Sequence, residues 1–167
     1  MREGEGGLAV FYVGMGKGVF SSSAEDLLCI QGLGSCIGLA LYDPRGPRAC
    51  LCHIVLPEGG TVRPDGPGNP AKYADLGVEW AVEEMRRLGA VTLQAKMAGG
   101  ASLLRFPSSP LLRVGERNVE AVRKALVRFG IPLLGEDVGG EEGRSVTFRV
   151  ADGRMEVRYA SGRVLVL

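Results

Sequence analysis

Apolar and polar positions alternate in short blocks through the first third of the chain, then fall into two longer helical stretches. Apolar runs at 8–13 and 26–31 read as strands. A third strand spans 36–42. Asp43-Pro44-Arg45-Gly46-Pro47-Arg48 is turn chemistry, and 49–56 is the return strand of a hairpin. The stretch 58–68 is rich in Gly and Pro and reads as an exposed loop. Asn69-Pro70 has the form of a helix start, Asn as N-cap and Pro at the first helical position. Leu76, Trp80, Ala81, Met85 and Leu88 follow at helical spacing and Gly89 closes the helix. A strand at 91–98 runs into Gly99-Gly100. The stretch 103–114 has two prolines and no period, so it reads as a loop. Val119, Val122, Leu126 and Phe129 stripe a second helix, ended by Gly130. Strands follow at 131–137, 145–151, 155–160 and 163–167, the last three joined by the hairpin pairs Asp152-Gly153 and Ser161-Gly162. The pattern predicts an α+β fold, mostly antiparallel sheet with two main helices, in one domain over 1–167.

Composition narrows the partners. The chain has 167 residues, 46% hydrophobic and 23% charged, enough for a real core. Its 20 basic and 19 acidic side chains leave a net charge of +1 with no long basic run, which argues against nucleic acid or an anionic membrane as the main partner. The N-terminus shows no basic segment followed by an apolar core, and no apolar run approaches the roughly 18 residues of a membrane span. A cytoplasmic location is therefore expected, with no membrane insertion and with Cys29, Cys36, Cys50 and Cys52 as thiols.

His53, the chain's single histidine, sits in an apolar strand. It reads either as a buried, satisfied core residue or as an acid/base group. Hairpin geometry bears on the choice. A six-residue loop over 43–48 sets Tyr42 opposite Ala49 and Cys36 opposite Val55. Cys36 and His53 then share a face as diagonal neighbours, roughly 7–8 Å apart at the backbone. An odd-numbered loop would separate them. Gly32-Leu33-Gly34-Ser35-Cys36 puts two glycines before the thiol. Glycines let a substrate come close and can aim backbone N–H groups at an oxyanion. Gly34, Ser35, Gly99, Gly100 and Ser102 are thus candidates for an oxyanion or substrate cleft. Ser35, adjacent to the thiol, is expected to point to the other face. Cys36 becomes the candidate nucleophile and His53 its partner, which points to a cysteine hydrolase. Zinc is the rival reading, but no C-x-x-C pair exists, and Cys50 and Cys52 alternate to the face opposite His53. Cys29, Cys50 and Cys52 read as small core residues, and Trp80 as core on its helix. Gly99-Gly100-Ala101-Ser102 lacks the Gly-Lys-Ser/Thr ending of a phosphate loop. No metal or organic cofactor is expected.

The chain resembles the CheD family of bacterial chemotaxis, chemoreceptor glutamine deamidases. The resemblance is carried by Gly32-Leu33-Gly34-Ser35-Cys36, His53-Ile54-Val55-Leu56-Pro57, Lys72-Tyr73-Ala74-Asp75, Lys96-Met97-Ala98-Gly99-Gly100-Ala101-Ser102, Glu116-Arg117-Asn118-Val119, Glu136-Asp137-Val138-Gly139-Gly140 and Arg144-Ser145-Val146. It implies an α/β/β sandwich-like fold, a catalytic pair at Cys36 and His53, and a glutamine side chain on chemoreceptor cytoplasmic helices as substrate. It also implies a CheC-type phosphatase as partner. The family pattern has threonine six residues before the cysteine to orient the histidine; Ile30 stands there, and isoleucine accepts no hydrogen bond. Another group or a backbone carbonyl must orient His53, or it is oriented poorly. A weakly active or inactive regulator that binds receptors and a CheC-type phosphatase is the alternative that Ile30 keeps open. If Ile30 faces His53, Ile30→Thr is expected to raise turnover. The apolar 103–114 stretch, with Leu104 and Phe106, is a candidate contact surface for the CheC-type partner.

Overall fold

The turn at 43–48 folds as its residues demand. Asp43 Oδ1 accepts the Arg45 N–H at 2.9 Å, an Asx turn, and Asp43 Oδ2 accepts the Val91 N–H at 2.8 Å. The turn fixes the hairpin register, with Tyr42 opposite Ala49, Gly38 opposite His53 and Ile37 opposite Ile54. These two strands, β4 (Ile37–Asp43) and β5 (Arg48–Ile54), form the middle of one sheet.

A computed structural model describes residues 7–59, 68–103 and 113–167. Before the hairpin lie β1 (Val10–Tyr12), β2 (Gly18–Ser21) and β3 (Leu27–Leu33). After it come α1 (Ala74–Arg87), β6 (Gln94–Gly99), α2 (Val114–Arg128), β7 (Leu133–Val138), β8 (Arg144–Arg149), β9 (Met155–Tyr159) and β10 (Val164–Val166). One sheet has the order β1-β3-β8-β9-β10 and the other β2-β5-β4-β6-β7. Pairing is antiparallel except for β1 with β3 and β6 with β7.

Alternation along the hairpin separates two cores. Ile37, Leu39, Leu41, Cys50, Cys52 and Ile54 face α1 and α2 and pack with Val78, Met85, Val122 and Leu126. Ala40, Ala49 and Leu51 face the other sheet and pack with Leu28, Ile30, Val146 and Phe148. The layers are therefore helices, hairpin sheet, second sheet: the α+β class expected from the strand and helix pattern, in the α/β/β sandwich arrangement that the family resemblance implies. Trp80 lies at the edge of the helix-side core, edge-on to Phe20 with ring centroids 5.1 Å apart.

A buried ionic network joins the sheets. Arg144 Nη1 donates to Asp137 O and Oδ2 at 2.9 and 3.1 Å, and the Tyr159 hydroxyl lies 2.7 Å from each Asp137 carboxylate oxygen. The Arg144 guanidinium also donates to the carbonyls of Gly139 and Glu142. These bonds hold the chain after β7, whose Gly140 carbonyl accepts the Ser102 N–H at 2.9 Å.

Two local expectations change. The first helix starts at Ala74, not at Asn69-Pro70: Tyr73 is its extended N-cap and makes no capping bond. Tertiary pairing overrides the N-cap signal there. Tyr73 bridges Leu56 in parallel fashion, and Ala71 N–H donates to Gly16 O at 2.9 Å, which keeps the preceding residues out of the helix. The strand β2 was not legible, since Gly18-Val19-Phe20-Ser21 is short and lacks alternation; pairing with β5 creates it. Both helices end as their glycines predict. Gly89 and Ala90 donate to Arg86 and Met85, and Gly130 and Ile131 to Val127 and Leu126, both Schellman patterns.

Leu126 is 1% exposed and the adjacent Val127 is 79% exposed. Leu126→Ala should cost about 2–5 kcal/mol and Val127→Ala less than about 0.5 kcal/mol. Urea midpoints at unchanged slope measure both; equal costs would contradict the packing of α2 on the sheet.

Candidate active site

The even-length loop brings Cys36 and His53 to one face. His53 follows Ala49 and Leu51 on the inter-sheet side of β5, and Cys36 packs against that same core. The ladder ends at Ile37↔Ile54, so Cys36 lies one residue beyond it and the expected pair with Val55 does not form: Val55 N–H donates to Lys72 O, and the Cys36 carbonyl accepts from Gly100. Between them on that face stands Gly38, opposite His53. A methyl group at Gly38 would meet Leu33, Ile30 and Val146 side-chain carbons at 3.1–3.3 Å, so a side chain there would crowd the core beside the imidazole. Cys50 and Cys52 point to the helix side, away from His53. Among the described residues no three His, Cys, Asp or Glu side chains gather as a metal site.

His53 is 5% exposed and held by its backbone as well as its ring. Its N–H donates to Lys17 O and its carbonyl accepts from Gly16 N, both at 2.9 Å. The ring Nδ1 lies 3.4 Å from the Val13 carbonyl. A carbonyl only accepts, so this contact assigns the proton to Nδ1 and leaves Nε2 with a bare lone pair. Nε2 is buried and finds no partner among the described residues. Burial pushes the imidazole below its ordinary pKa, with the Val13 hydrogen bond working the other way. Burial likewise pushes the Cys36 thiol up. Both shifts favour the uncharged forms, thiol and neutral imidazole, and Cys36 Sγ makes no hydrogen bond to Nε2.

Glycines shape the other wall. Gly100 N–H donates to the Cys36 carbonyl and Ala101 N–H to the Gly34 carbonyl, each at 2.9 Å. Gly99 has φ +117°, and a Cβ there would sit 2.2 Å from the Cys36 carbonyl oxygen; Gly100 has φ +66° with a Cβ site 2.5 Å from Val119. Only glycine fits either place. The N–H groups of Gly34, Ser35 and Cys36 have no acceptor among the described residues. Leu103, 66% exposed, borders Gly34: a Cβ on Gly34 would lie 3.4 Å from its Cδ1. Residues 104–112, including Leu104 and Phe106, lie outside the described residues.

Ile30 is 1% exposed and reaches into the inter-sheet core, toward Gly38. The residues that sequence reasoning missed are those acting through the backbone. Nothing in Val13 as a residue type announces that its carbonyl meets the histidine. Asn118 left a fainter trace: it stands four residues before Val122, on the buried stripe of α2, where a polar residue needs a reason. It is fully buried, and its Nδ2 donates at 2.9 Å to both Ser35 O and Val55 O.

The four cysteines differ in access. Cys29, Cys50 and Cys52 are buried and Cys36 is half-buried. A limiting dose of iodoacetamide should label Cys36 first, read by peptide mass spectrometry; equal labelling of all four would contradict the structure.

Comparison with known proteins fits this geometry. The family model described as CheD chemotactic sensory transduction matches residues 55–159. A protein of Archaeoglobus fulgidus named probable chemoreceptor glutamine deamidase CheD is 45% identical over 150 residues, 89% of this chain and 93% of the relative. A Desulfitobacterium hafniense protein of the same name is 45% identical over 152 residues, 89% of this chain and 92% of its own. One from Pyrococcus abyssi is 37% identical over 163 residues, 96% of this chain and 94% of its own. Spans that long necessarily include Cys36 and His53, which lie before the family-model match. With a family model over more than half of the chain and relatives of this identity and coverage, the chain belongs to the CheD family.

Proposed function

We propose that the chain is a protein-glutamine deamidase, a single catalytic domain that converts glutamine side chains of chemoreceptors to glutamate with release of ammonia. The observation that carries the reading is the hairpin register, which sets a half-buried thiol and an imidazole with a free Nε2 on one face. Family membership and the names of the relatives supply the substrate class. Cys36 and His53 are the catalytic residues.

The reaction begins from the neutral pair. His53 Nε2 takes the thiol proton as Cys36 Sγ attacks the glutamine Cδ, forming a tetrahedral oxyanion. The N–H groups at Gly34, Ser35 and Cys36 are the available donors for that oxyanion, because those of Gly100 and Ala101 are bonded to carbonyls. Gly99, Gly100 and Ser102 serve as the wall that holds the thiol's own backbone. The C–N bond breaks as His53 returns its proton to the nitrogen, and ammonia leaves a thioester. Water gives a proton to Nε2 and attacks the thioester carbon. The C–S bond breaks, Cys36 recovers its proton, and glutamate is the product. The chemistry asks for no metal or cofactor.

The Val13 carbonyl does what the family threonine does elsewhere, so the lack of a hydroxyl at Ile30 is no bar to turnover. The weakly active regulator remains the second reading, favoured only by Ile30. A CheC-type phosphatase as partner and a cytoplasmic location follow from the family resemblance. No helix among the described residues is long and apolar enough to cross a membrane.

Ammonia release from receptor cytoplasmic fragments tests the proposal. Cys36→Ala and His53→Ala should each lower turnover by about 100-fold or more with the fold intact. His53 titrates below its ordinary 6.5, so kcat/KM should stay level through neutrality and fall only as pH drops below 6.5. An activity limb above pH 7 would contradict the neutral base, and full activity in Cys36→Ala would end the proposal.

Ile30→Thr makes a second test. With Nδ1 already on Val13 and Nε2 needed by the thiol, a hydroxyl finds no ring nitrogen to orient. Turnover per folded molecule should change by less than about threefold. Stability should drop by about 1–3 kcal/mol from the buried hydroxyl and lost packing. A gain of about tenfold or more would restore the threonine's role and displace the Val13 carbonyl.

A further inference from the structure

The ladder between β4 and β5 ends at Ile37↔Ile54, just short of the nucleophile. Beyond that pair the two strands part company. Val55 N–H turns to Lys72 O at 3.0 Å, and the Cys36 carbonyl bonds Gly100 of β6's end, not β5. Nothing in the hairpin itself then fixes how far the segment bearing Cys36 stands from the strand bearing His53. Among the described residues the Asn118 side chain spans the gap. The Asn118 amide nitrogen donates to Ser35 O, one residue before the thiol, and to Val55 O, two residues after the histidine, each at 2.9 Å. Both acceptors are carbonyls, so the amide orientation is fixed and both its hydrogens are spent. Asn118 has no exposed surface, and its Oδ1 is buried without a partner among the described residues.

The first turn of α2 is itself seated on the site's glycine wall. A Cβ on Gly115 would lie 2.6 Å from both the Gly100 and Ala101 carbonyl oxygens, and Val119 packs on Gly100. One helical turn, Gly115 to Val119, therefore touches the wall behind Cys36, the strand entering it and the strand leaving His53. The sheet sets which face the two groups share, and this turn sets their separation.

We propose that Asn118 is a positioning residue for the Cys36–His53 pair: its amide replaces the missing rung of the ladder and ties the thiol segment to the strand that bears His53, limiting how far the two can move apart. The inference rests on the assignment of Cys36 and His53 as catalytic residues. A loose rung costs proton transfer more than substrate binding, because Asn118 is buried and does not reach the substrate.

The test compares Asn118→Ala and the near-isosteric Asn118→Asp with the parent and with His53→Ala. The readouts are deamidation kinetics on a receptor fragment, the pH profile of Cys36 alkylation by iodoacetamide, and thermal melting. In the parent, base assistance by His53 should give alkylation a plateau around neutrality. In His53→Ala only thiolate reacts, so the rate should climb about tenfold per pH unit toward the raised thiol pKa. Both Asn118 variants, folded at the assay temperature, should lower kcat about 10- to 100-fold with KM within about threefold, and should show the plateau-free profile of His53→Ala. A retained plateau with parental kcat, a loss confined to KM, or failure of both variants to fold would overturn the proposal. Failure of the underlying assignment looks different: the parent itself would lack the plateau, or Cys36→Ala would stay active.

Discussion

The pairing of Tyr42 with Ala49 is the constraint on which the rest depends. Side chains alternate along a strand, so a slip of one residue would turn all of β5 over. Cys50 and Cys52 would then face the second sheet, and His53 would be buried among the helix contacts. The cost of that slip is the exchange of two complete apolar faces, each packed in its own core. Register is therefore set by the whole hairpin, from the Asp43 turn to Ile54. The site sits where that hairpin ends, rigid up to Ile37 and dependent on neighbours beyond it.

Burial has a chemical consequence there. It raises the thiol and lowers the imidazole, so both drift away from the charged pair. In the proposed reaction an uncharged pair reacts only when the proton can pass as the new bond forms, which would put the weight of catalysis on geometry. The fold answers with fixed backbone contacts. His53 is held by Val13, Gly16 and Lys17; the Cys36 segment is held by Gly100, Ala101 and Asn118. Several of these are backbone carbonyl or N–H groups, which do not depend on a particular side chain.

Much of this could be read from residue types. The turn residues gave an even loop and the Tyr42–Ala49 register, although Asp43 pairs with Arg48 and the loop is four residues, not six. The helical stripes of α1 and α2 and their terminal glycines were equally plain. What escaped were features made by tertiary contact. The start of α1 moved because Tyr73 pairs with Leu56. The strand β2 exists because β5 offers an edge. The Val13 carbonyl contact and the two hydrogen bonds donated by Asn118 Nδ2 depend on chain crossings that no local pattern encodes. Gly99 and Gly100 were visible as a turn, yet their reason, contact with the Cys36 carbonyl and with Val119, appears only in three dimensions.

Covalent catalysis by Cys36 is the central claim, and trapping the acyl intermediate tests it most directly. Receptor fragment and protein, mixed and quenched in acid within one turnover, should yield the Cys36 peptide joined through a thioester to the fragment's glutamine-derived acyl group. Hydroxylamine should release that adduct as a hydroxamate. Deamidation that proceeds at full rate with no adduct on Cys36, or with the acyl group on another residue, would contradict the account.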